Sequence, residues 1–248
     1  MKEVMFYRAL FSLFSGFVLV LALGTAALAA PERSDKKDQQ RNARVLAPVN
    51  LAILIQDDLV PQVDNELKAT REFIRALPQG SQVMVGYITS GSLQVRQPFT
   101  ADLEKAAKSL RILRSSSAAS AFNPYVEVIE ALRHFDSVRG RKAVLLISDG
   151  LDTSRGFDAT AAGNTLDLRR AIREANKRDV AVYTFYAPSV TFSSRSRLAA
   201  SYGQSSLNRL ADETGGKAFF QGTTGFVSFD SHFRRLRQML NDQYARAY

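Results

Sequence analysis

The run Ala143–Thr153, AVLLISDGLDT, carries the strongest indication of the fold. Its first five residues are continuously apolar, which is typical of a strand that is covered on both faces of a parallel sheet. The run then enters an acidic loop in which Asp149 and Asp152 flank Gly150 and Leu151. Because open α/β sheets bind ligands beyond the carboxyl ends of their strands, this junction is the first candidate for a functional site.

Three similar runs, Val49–Ile55, Gln82–Thr89 and Val180–Phe185, alternate with segments in which apolar residues recur at helical spacing. Gly91 predicts a tight turn that makes Leu93–Phe99 an antiparallel edge strand. Together these patterns predict an α/β fold with a doubly wound, mostly parallel central sheet, one antiparallel edge strand and helices on both faces.

The C-terminal third predicts further elements. The polar stretch Pro188–Ser206 has no clear periodicity and is predicted to be a long connection. A short helix over Ser206–Thr214 ends at Gly215, and Lys217–Phe220 follows as a strand. The last helix begins near Asp230 or Ser231. Its buried stripe is expected to be Phe229, Phe233, Leu236 and Leu240.

The first 45 residues differ in composition from the rest. Residues 1–30 have the layout of a secretory signal peptide: basic Lys2 and Arg8, an apolar run, and the small-residue pattern Ala27-Leu28-Ala29. The highly charged residues 31–45 predict a disordered linker, and residues 46–248 the folded domain. We therefore expect a secreted, periplasmic or cell-surface bacterial protein. A leader that is kept as an inner-membrane anchor is the alternative.

Composition excludes several chemistries. The 248 residues include no cysteine, which rules out disulfides, thiolate metal sites and cysteine nucleophiles. The net charge is +9, but the basic residues are spread over helical segments without interleaved aromatic residues. We expect no specific nucleic-acid binding, although weak attraction to anionic polymers is an open alternative.

Acidic residues follow two of the predicted strands. Asp57 and Asp58 come after the first strand, and Asp149 and Asp152 follow the strand that ends at Ser148. If these strands are neighbours, four carboxylates converge on one crevice and could hold Mg²⁺. Alternatively, Asp149 and Asp152 cap the next turn while Gly150 supplies a positive φ. The residues alone leave both interpretations open.

Several motifs, in order, resemble a known family. AVLLISDGLDT is similar to the fourth-strand signature of von Willebrand factor A (VWA) domains, and residues 47–248 follow that family's order of elements. The chain resembles most closely the VWFA-related Acidobacterial-type domain of secreted bacterial proteins. The motifs that carry this likeness are LAILIQDD, the REFI segment at 71–74, the NPY segment at 123–125, SDGLDT and LADETGGKAFF.

The resemblance implies a VWA/Rossmann-like fold and a metal-ion-dependent adhesion site. That site has the pattern Asp-x-Ser-x-Ser, a Thr in a middle loop and a final Asp. Here Gln56, Asp58 and Val60 stand at the first three positions, Asn123 at or near the Thr, and Asp149 at the last. Because Val60 offers no oxygen and Gln56 no charge, we expect a degenerate site. We expect no cofactor, with Mg²⁺ binding through Asp58 and Asp149 at millimolar affinity at best. The full set of candidate binding residues is Gln56, Asp57, Asp58, Asn123, Asp149, Gly150 and Asp152.

The resemblance therefore predicts an exported, non-catalytic module that binds or scaffolds another protein. Its contact loops are expected at 57–62, 115–123, 151–162 and 189–205. A divalent-cation-dependent, phosphatase-like hydrolase using Asp57, Asp58 and Asp149 is the alternative, as is a weak electrostatic binder. His134 and His232 are expected to be exposed or partly buried surface residues rather than members of a hydrolase triad. Membrane contact is expected only if the leader is retained.

Overall fold

A six-stranded sheet organises the computed structural model, which describes residues 47–114, 122–154, 165–220 and 227–247, with side chains described as far as residue 241. The strands are β1 (Asn50–Gln56), β2 (Gln82–Thr89), β3 (Ser92–Thr100), β4 (Lys142–Ser148), β5 (Val180–Tyr186) and β6 (Ala218–Phe219). They lie in the order β3-β2-β1-β4-β5-β6, and β3 is antiparallel to its neighbour β2 while the other pairs are parallel.

Helices cover both faces of this sheet. They are α1 (Gln62–Asn65), α2 (Leu67–Arg75), α3 (Leu103–Lys108), α4 (Pro124–Arg133), α5 (Leu166–Lys177), α6 (Arg197–Glu213) and α7 (Asp230–Ala247), and a 3₁₀ turn, His134–Ser137, follows α4. Alternation along β1 separates two cores: Leu51, Ile53 and Ile55 face α1, α2, α3 and α7, whereas Ala52 and Leu54 face α4, α5 and α6. The predicted fold class is confirmed.

The central strand pair positions the candidate site. β1 and β4 are parallel neighbours, with Ile55 opposite Ile147. Both strands are buried along nearly their whole length, as the apolar runs predicted. The residues that follow Ile55 and Ser148 therefore emerge side by side at the carboxyl edge of the sheet.

The prediction for residues 188–206 is wrong in its second half. α6 begins at Arg197, nine residues before the expected Ser206, and the Ser196 side chain caps it by accepting a hydrogen bond from the Ala199 backbone N–H. The buried residues of its first half are the small ones, Ala199, Ala200 and Gly203. Small residues give little hydrophobic periodicity, so the pattern concealed this helical segment.

His232 also departs from expectation. His134 is exposed as predicted, but His232 is buried with only 7% of its surface accessible. Its ring lies 5.2 Å from that of Phe185 and 5.5 Å from that of Phe219. Burial lowers its pKa to about 4, because this apolar setting disfavours the charged imidazolium.

Two sequence predictions fall outside the described residues: the leader at 1–30 and the linker at 31–45. In the part of the chain that is described, no helix combines the length and hydropathy needed to cross a membrane. Loop residues 115–121 and 155–162, which were expected to contact a partner, are also not described.

Gly203→Ala tests the close approach of α6 to β4. A methyl group at Gly203 would stand 1.8 Å from the Asp149 carbonyl oxygen, a backbone atom that cannot move without displacing the loop. Helix propensity alone predicts stabilisation by about 1 kcal/mol. We expect instead that the clash lowers the free energy of unfolding in urea by about 3 kcal/mol.

Gly86→Ala is the matched control, because its new methyl group meets mainly the movable end of Leu93. Equal or greater stability of Gly203→Ala relative to the wild type would contradict the packing described here.

Candidate functional site

Gln56 connects the ends of β1 and β4. It is the last residue of β1 and is 1% exposed. Its Oε1 accepts hydrogen bonds from Ser148 Oγ at 2.5 Å and from the Asp149 backbone N–H at 3.3 Å. Because a backbone N–H can only donate, these contacts fix the orientation of the carboxamide. The amide nitrogen Nε2 therefore faces two carboxylates: it lies 2.7 Å from Asp58 Oδ1 and 3.2 Å from Asp149 Oδ1.

A third loop, after β5, joins the same network. Ser193 Oγ donates to Asp149 Oδ2 at 3.3 Å, and the Ser189 backbone N–H donates to Ser193 Oγ at 2.7 Å. The loops after β1 and β5 also pair directly, because the Val190 N–H donates to the Asp58 carbonyl. We call Gln56, Asp58, Ser148, Asp149 and Ser193 the Gln56 cluster. Each of its members is at most 5% exposed.

Burial controls the ionisation of this cluster. Desolvation, followed by the nearby Asp149 charge, raises the pKa of Asp58 to about 7. Burial also raises the pKa of Asp149, although hydrogen bonds from Ser189, Leu151, Gln56 and Ser193 oppose it. The two acids thus share one amide donor in a setting that disfavours two full charges.

Asp57 is not part of this cluster and pairs with Arg111 instead. Its two carboxylate oxygens accept hydrogen bonds from Arg111 Nη1 at 2.8 Å and Nη2 at 2.9 Å, and the Arg114 backbone N–H adds a third at 2.9 Å. The Arg111 guanidinium also lies over the Tyr87 ring, 4.0 Å from its centroid. Asp57 therefore anchors the segment after α3 to the end of β1.

Asn123 and Asp152 form a separate group. The Asn123 Oδ1 caps α4 by accepting hydrogen bonds from the Tyr125 and Val126 N–H groups. Its Nδ2 donates to Asp152 at 3.2 Å and to Asp167 at 2.9 Å. Gly150 adopts a φ of 73°, which supports the turn interpretation of this loop.

The expectation that four carboxylates converge is wrong. Asp58 and Asp149 meet at Gln56, whereas Asp57 turns to Arg111 and Asp152 to Asn123. In the described ranges, no three acidic, histidine or cysteine side chains are grouped so that they could hold a metal ion. Asp57 and Asp152 lie apart from this pair because each accepts hydrogen bonds from a donor of its own.

The Gln56 cluster does not fit the metal ion that this kind of fold implies. Between the two carboxylates it presents amide hydrogens, which repel a cation, rather than the amide oxygen, which would ligate one. At the position where the adhesion-site pattern has a second hydroxyl, Val60 carries no oxygen. An amide nitrogen thus links the two acids.

A cavity of about 370 Å³ opens beside the cluster. Asp58 forms one wall of this cavity, and the turn between β2 and β3 forms another. Its walls are Asp57, Asp58, Thr89, Ser90, Ser92, Gln94, Arg114 and Phe122. The cluster itself is buried, so this cavity is the route by which a ligand would reach Asp58.

Three residues that donate hydrogen bonds at this site were not among the candidate site residues. They are Arg111, Ser148 and Ser193. Arg111 lies 54 positions from Asp57 in the chain, so no local pattern indicates their pairing. Ser148 is the last residue of β4 and Ser193 lies inside the loop after β5, and hydroxyl groups are common at such positions. Only the register of β1 and β4 indicates that Ser148 meets Gln56.

Comparison with solved structures relates this arrangement to known proteins. An aerotolerance-related membrane protein from Bacteroides fragilis with multiple mutations to serines superposes with a TM-score of 0.55, at 14% identity, over 78% of this chain and 99% of that chain. BatB from Bacteroides thetaiotaomicron gives a TM-score of 0.54 at 16% identity, over 79% and 99%. The VWA domain of SpRpn10 gives 0.48 at 12% identity, over 79% and 95%.

Neither a protein-family model nor a curated protein sequence matches the chain. At these identities, the structural likeness concerns the fold alone. Together with the strand order, the two Bacteroides structures confirm that the chain has the expected VWA-like fold.

Magnesium titration tests the view that the Gln56 cluster does not bind a metal ion. Because amide hydrogens face the two acids, calorimetric titration with MgCl₂ is expected to show no saturable binding below about 1 mM. The Asp149→Asn variant is the control, since any heat that survives in it arises elsewhere. A dissociation constant below about 100 µM that Asp149→Asn abolishes would contradict this view of the cluster.

Asp58→Asn tests the buried acid through the pH dependence of stability. The pKa of Asp58 is higher in the folded state than in the unfolded chain, so the folded state binds more protons between about pH 4 and 7. The contribution of Asp58 to stability is therefore fully present below pH 4 and is lost as the pH rises through 7.

Urea unfolding from pH 4 to 8 should show the wild type losing up to about 4 kcal/mol relative to Asp58→Asn. The low pKa of His232 acts in the opposite direction below pH 6.5, but it affects both proteins alike and cancels in their difference. Parallel stability curves for the two proteins would show that Asp58 titrates normally.

Proposed function

We propose that this protein is an exported, non-catalytic binding module that presents the loops at the carboxyl edge of its sheet to a protein partner without a metal ion. The observation that carries this proposal is the Gln56 side chain, which ties the loops after β1 and β4 together. Asp149 and Ser193 extend the connection to the loop after β5.

Preorganised loops suit recognition. A loop that must be ordered on binding costs free energy at that moment, whereas a loop already held by buried hydrogen bonds does not. The cavity beside Asp58 adjoins the loop after β1 and combines hydroxyl groups, two acids, the exposed Arg114 and the Phe122 side chain. Mixed polar and aromatic walls of this kind suit a protein side chain better than a purely apolar ligand.

The arrangement of the acids supports binding over hydrolysis. Both oxygens of Asp57 are engaged by Arg111, so Asp57 is poorly placed to attack a phosphorus atom. Asp58 and Asp149 are joined by an amide donor rather than arranged around a cation. The leader predicted at residues 1–30 and the likeness of the fold to a Bacteroides membrane protein favour a location outside the cytoplasm.

Site-directed photo-crosslinking in the producing cells tests this function. A photoreactive amino acid replaces Gln94 or Arg114 at the cavity, or Arg234 on the exposed face of α7 as the control. We expect a discrete protein adduct from the two cavity positions and not from the control. The yield should be unchanged by a chelator, because the site needs no metal.

Two results would contradict the proposal: adducts that form equally from Arg234, or a chelator that abolishes them. Turnover of p-nitrophenyl phosphate that requires Mg²⁺ and disappears in Asp57→Asn would instead establish the hydrolase alternative.

A further inference from the structure

A second cavity lies at the opposite edge of the sheet from the Gln56 cluster. Its volume is about 750 Å³, and residues at or before the starts of β1, β2, β4 and β5 line it. Asn50 and Gln56 mark the two ends of β1, which separates the two cavities by about 20 Å. We call this cavity the amino-edge cleft. It is unrelated to the loops proposed to bind a partner.

The amino-edge cleft carries a surplus of positive charge. Arg139, Arg141 and Lys142 line it, against the single acid Asp179. In the described ranges, none of these three cations forms an ion pair with a carboxylate. Elsewhere on the surface, basic residues such as Arg75, Arg133 and Arg178 do have acidic partners.

Arg141 is the least satisfied of the three cations. Its side chain is half-buried, and its Nη2 atom is fully buried without a hydrogen-bond partner. Burial lowers the pKa of Arg141, because removal of water disfavours its charge. A guanidinium remains charged nonetheless, so an anion in the cleft would relieve this cost.

The backbone holds this basic segment in place. The Asn50 Nδ2 donates to the carbonyl oxygens of Arg139 at 2.8 Å and Arg141 at 3.1 Å, and the Asn50 backbone N–H also donates to Arg141. Gly140, between the two arginines, adopts a φ of 93°, a conformation that glycine adopts without strain. Arg139 and Arg141 thus lie in a fixed turn, and Lys142 follows as the first residue of β4.

We infer that the amino-edge cleft binds a phosphate ester through Arg139, Arg141 and Lys142. Three cations against one acid leave a surplus of two charges, which a phosphate matches better than a single carboxylate does. Guanidinium groups also bind phosphate oxygens in a bidentate manner. The cleft is far larger than a phosphate group, so the ester portion of the ligand would occupy the remaining volume.

The phosphate ester can come from a soluble metabolite or from a lipid headgroup. Calorimetry with glycerol 3-phosphate tests the soluble source. Cosedimentation with phosphatidylcholine vesicles, with or without phosphatidylglycerol, tests the lipid source. Both use the purified product of the full-length gene.

The double variant Arg139→Gln/Lys142→Gln removes two cleft charges and should weaken binding at least about tenfold. The double variant Arg96→Gln/Lys108→Gln has the same net charge but lies outside the cleft, and it should bind like the wild type. Arg141→Gln should also weaken binding, and a thermal melt identifies any effect of this half-buried change on folding.

Saturable binding of glycerol 3-phosphate that only the cleft variant loses assigns the site to soluble phosphate esters. Binding to phosphatidylglycerol vesicles alone, with the same variant pattern, assigns it to lipid headgroups. The inference is overturned if neither probe binds, or if both double variants weaken binding equally, since the latter means that net charge rather than the cleft is responsible. None of these outcomes depends on the partner proposed for the carboxyl edge.

Discussion

The architecture of the carboxyl edge depends on one buried carboxamide. Gln56 accepts two hydrogen bonds from the start of the β4 loop and donates to Asp58 and Asp149, and every donor and acceptor of the side chain is used. Loss of such a group would leave buried carboxylates without donors, which costs more free energy than the hydrogen bonds themselves contribute. The positions of the three loops therefore follow from the satisfaction of these acids.

The same constraint underlies the metal-free binding that we propose for this edge. In a metal-bearing arrangement, positive charge holds acids together, whereas here a neutral amide does so with two hydrogen bonds. A neutral donor compensates less charge, so the pKa of Asp58 rises to about 7 and that of Asp149 also rises. Uptake of a proton by these acids, rather than binding of a cation, would relieve the negative charge of the cluster.

The two edges of the sheet are specialised in opposite ways. At the carboxyl edge, Asp58 and Asp149 are buried and accept hydrogen bonds from internal donors. Little of their negative charge therefore reaches the surface. At the amino edge, Arg139, Arg141 and Lys142 line an open cleft, and no acid of the described residues forms an ion pair with them. A parallel sheet permits this division, since all strand starts meet at one edge and the strand ends at the other.

Sequence patterns alone predicted the fold class, the five long strands of the sheet and the edge at which Gln56, Asp58 and Asp149 meet. Continuous apolar runs that alternate with helical segments are typical of a covered parallel sheet, and residues after such strands share one edge. The hydrogen-bond donor of each acid is evident only in the tertiary structure. The pairing of Asp57 with Arg111, the donation from Ser193 and the burial of His232 join residues that are distant in the chain, so local patterns carry no trace of them. The early start of α6 escaped prediction for a related reason: its small buried residues are selected by the close approach to the Asp149 loop, not by hydrophobic periodicity.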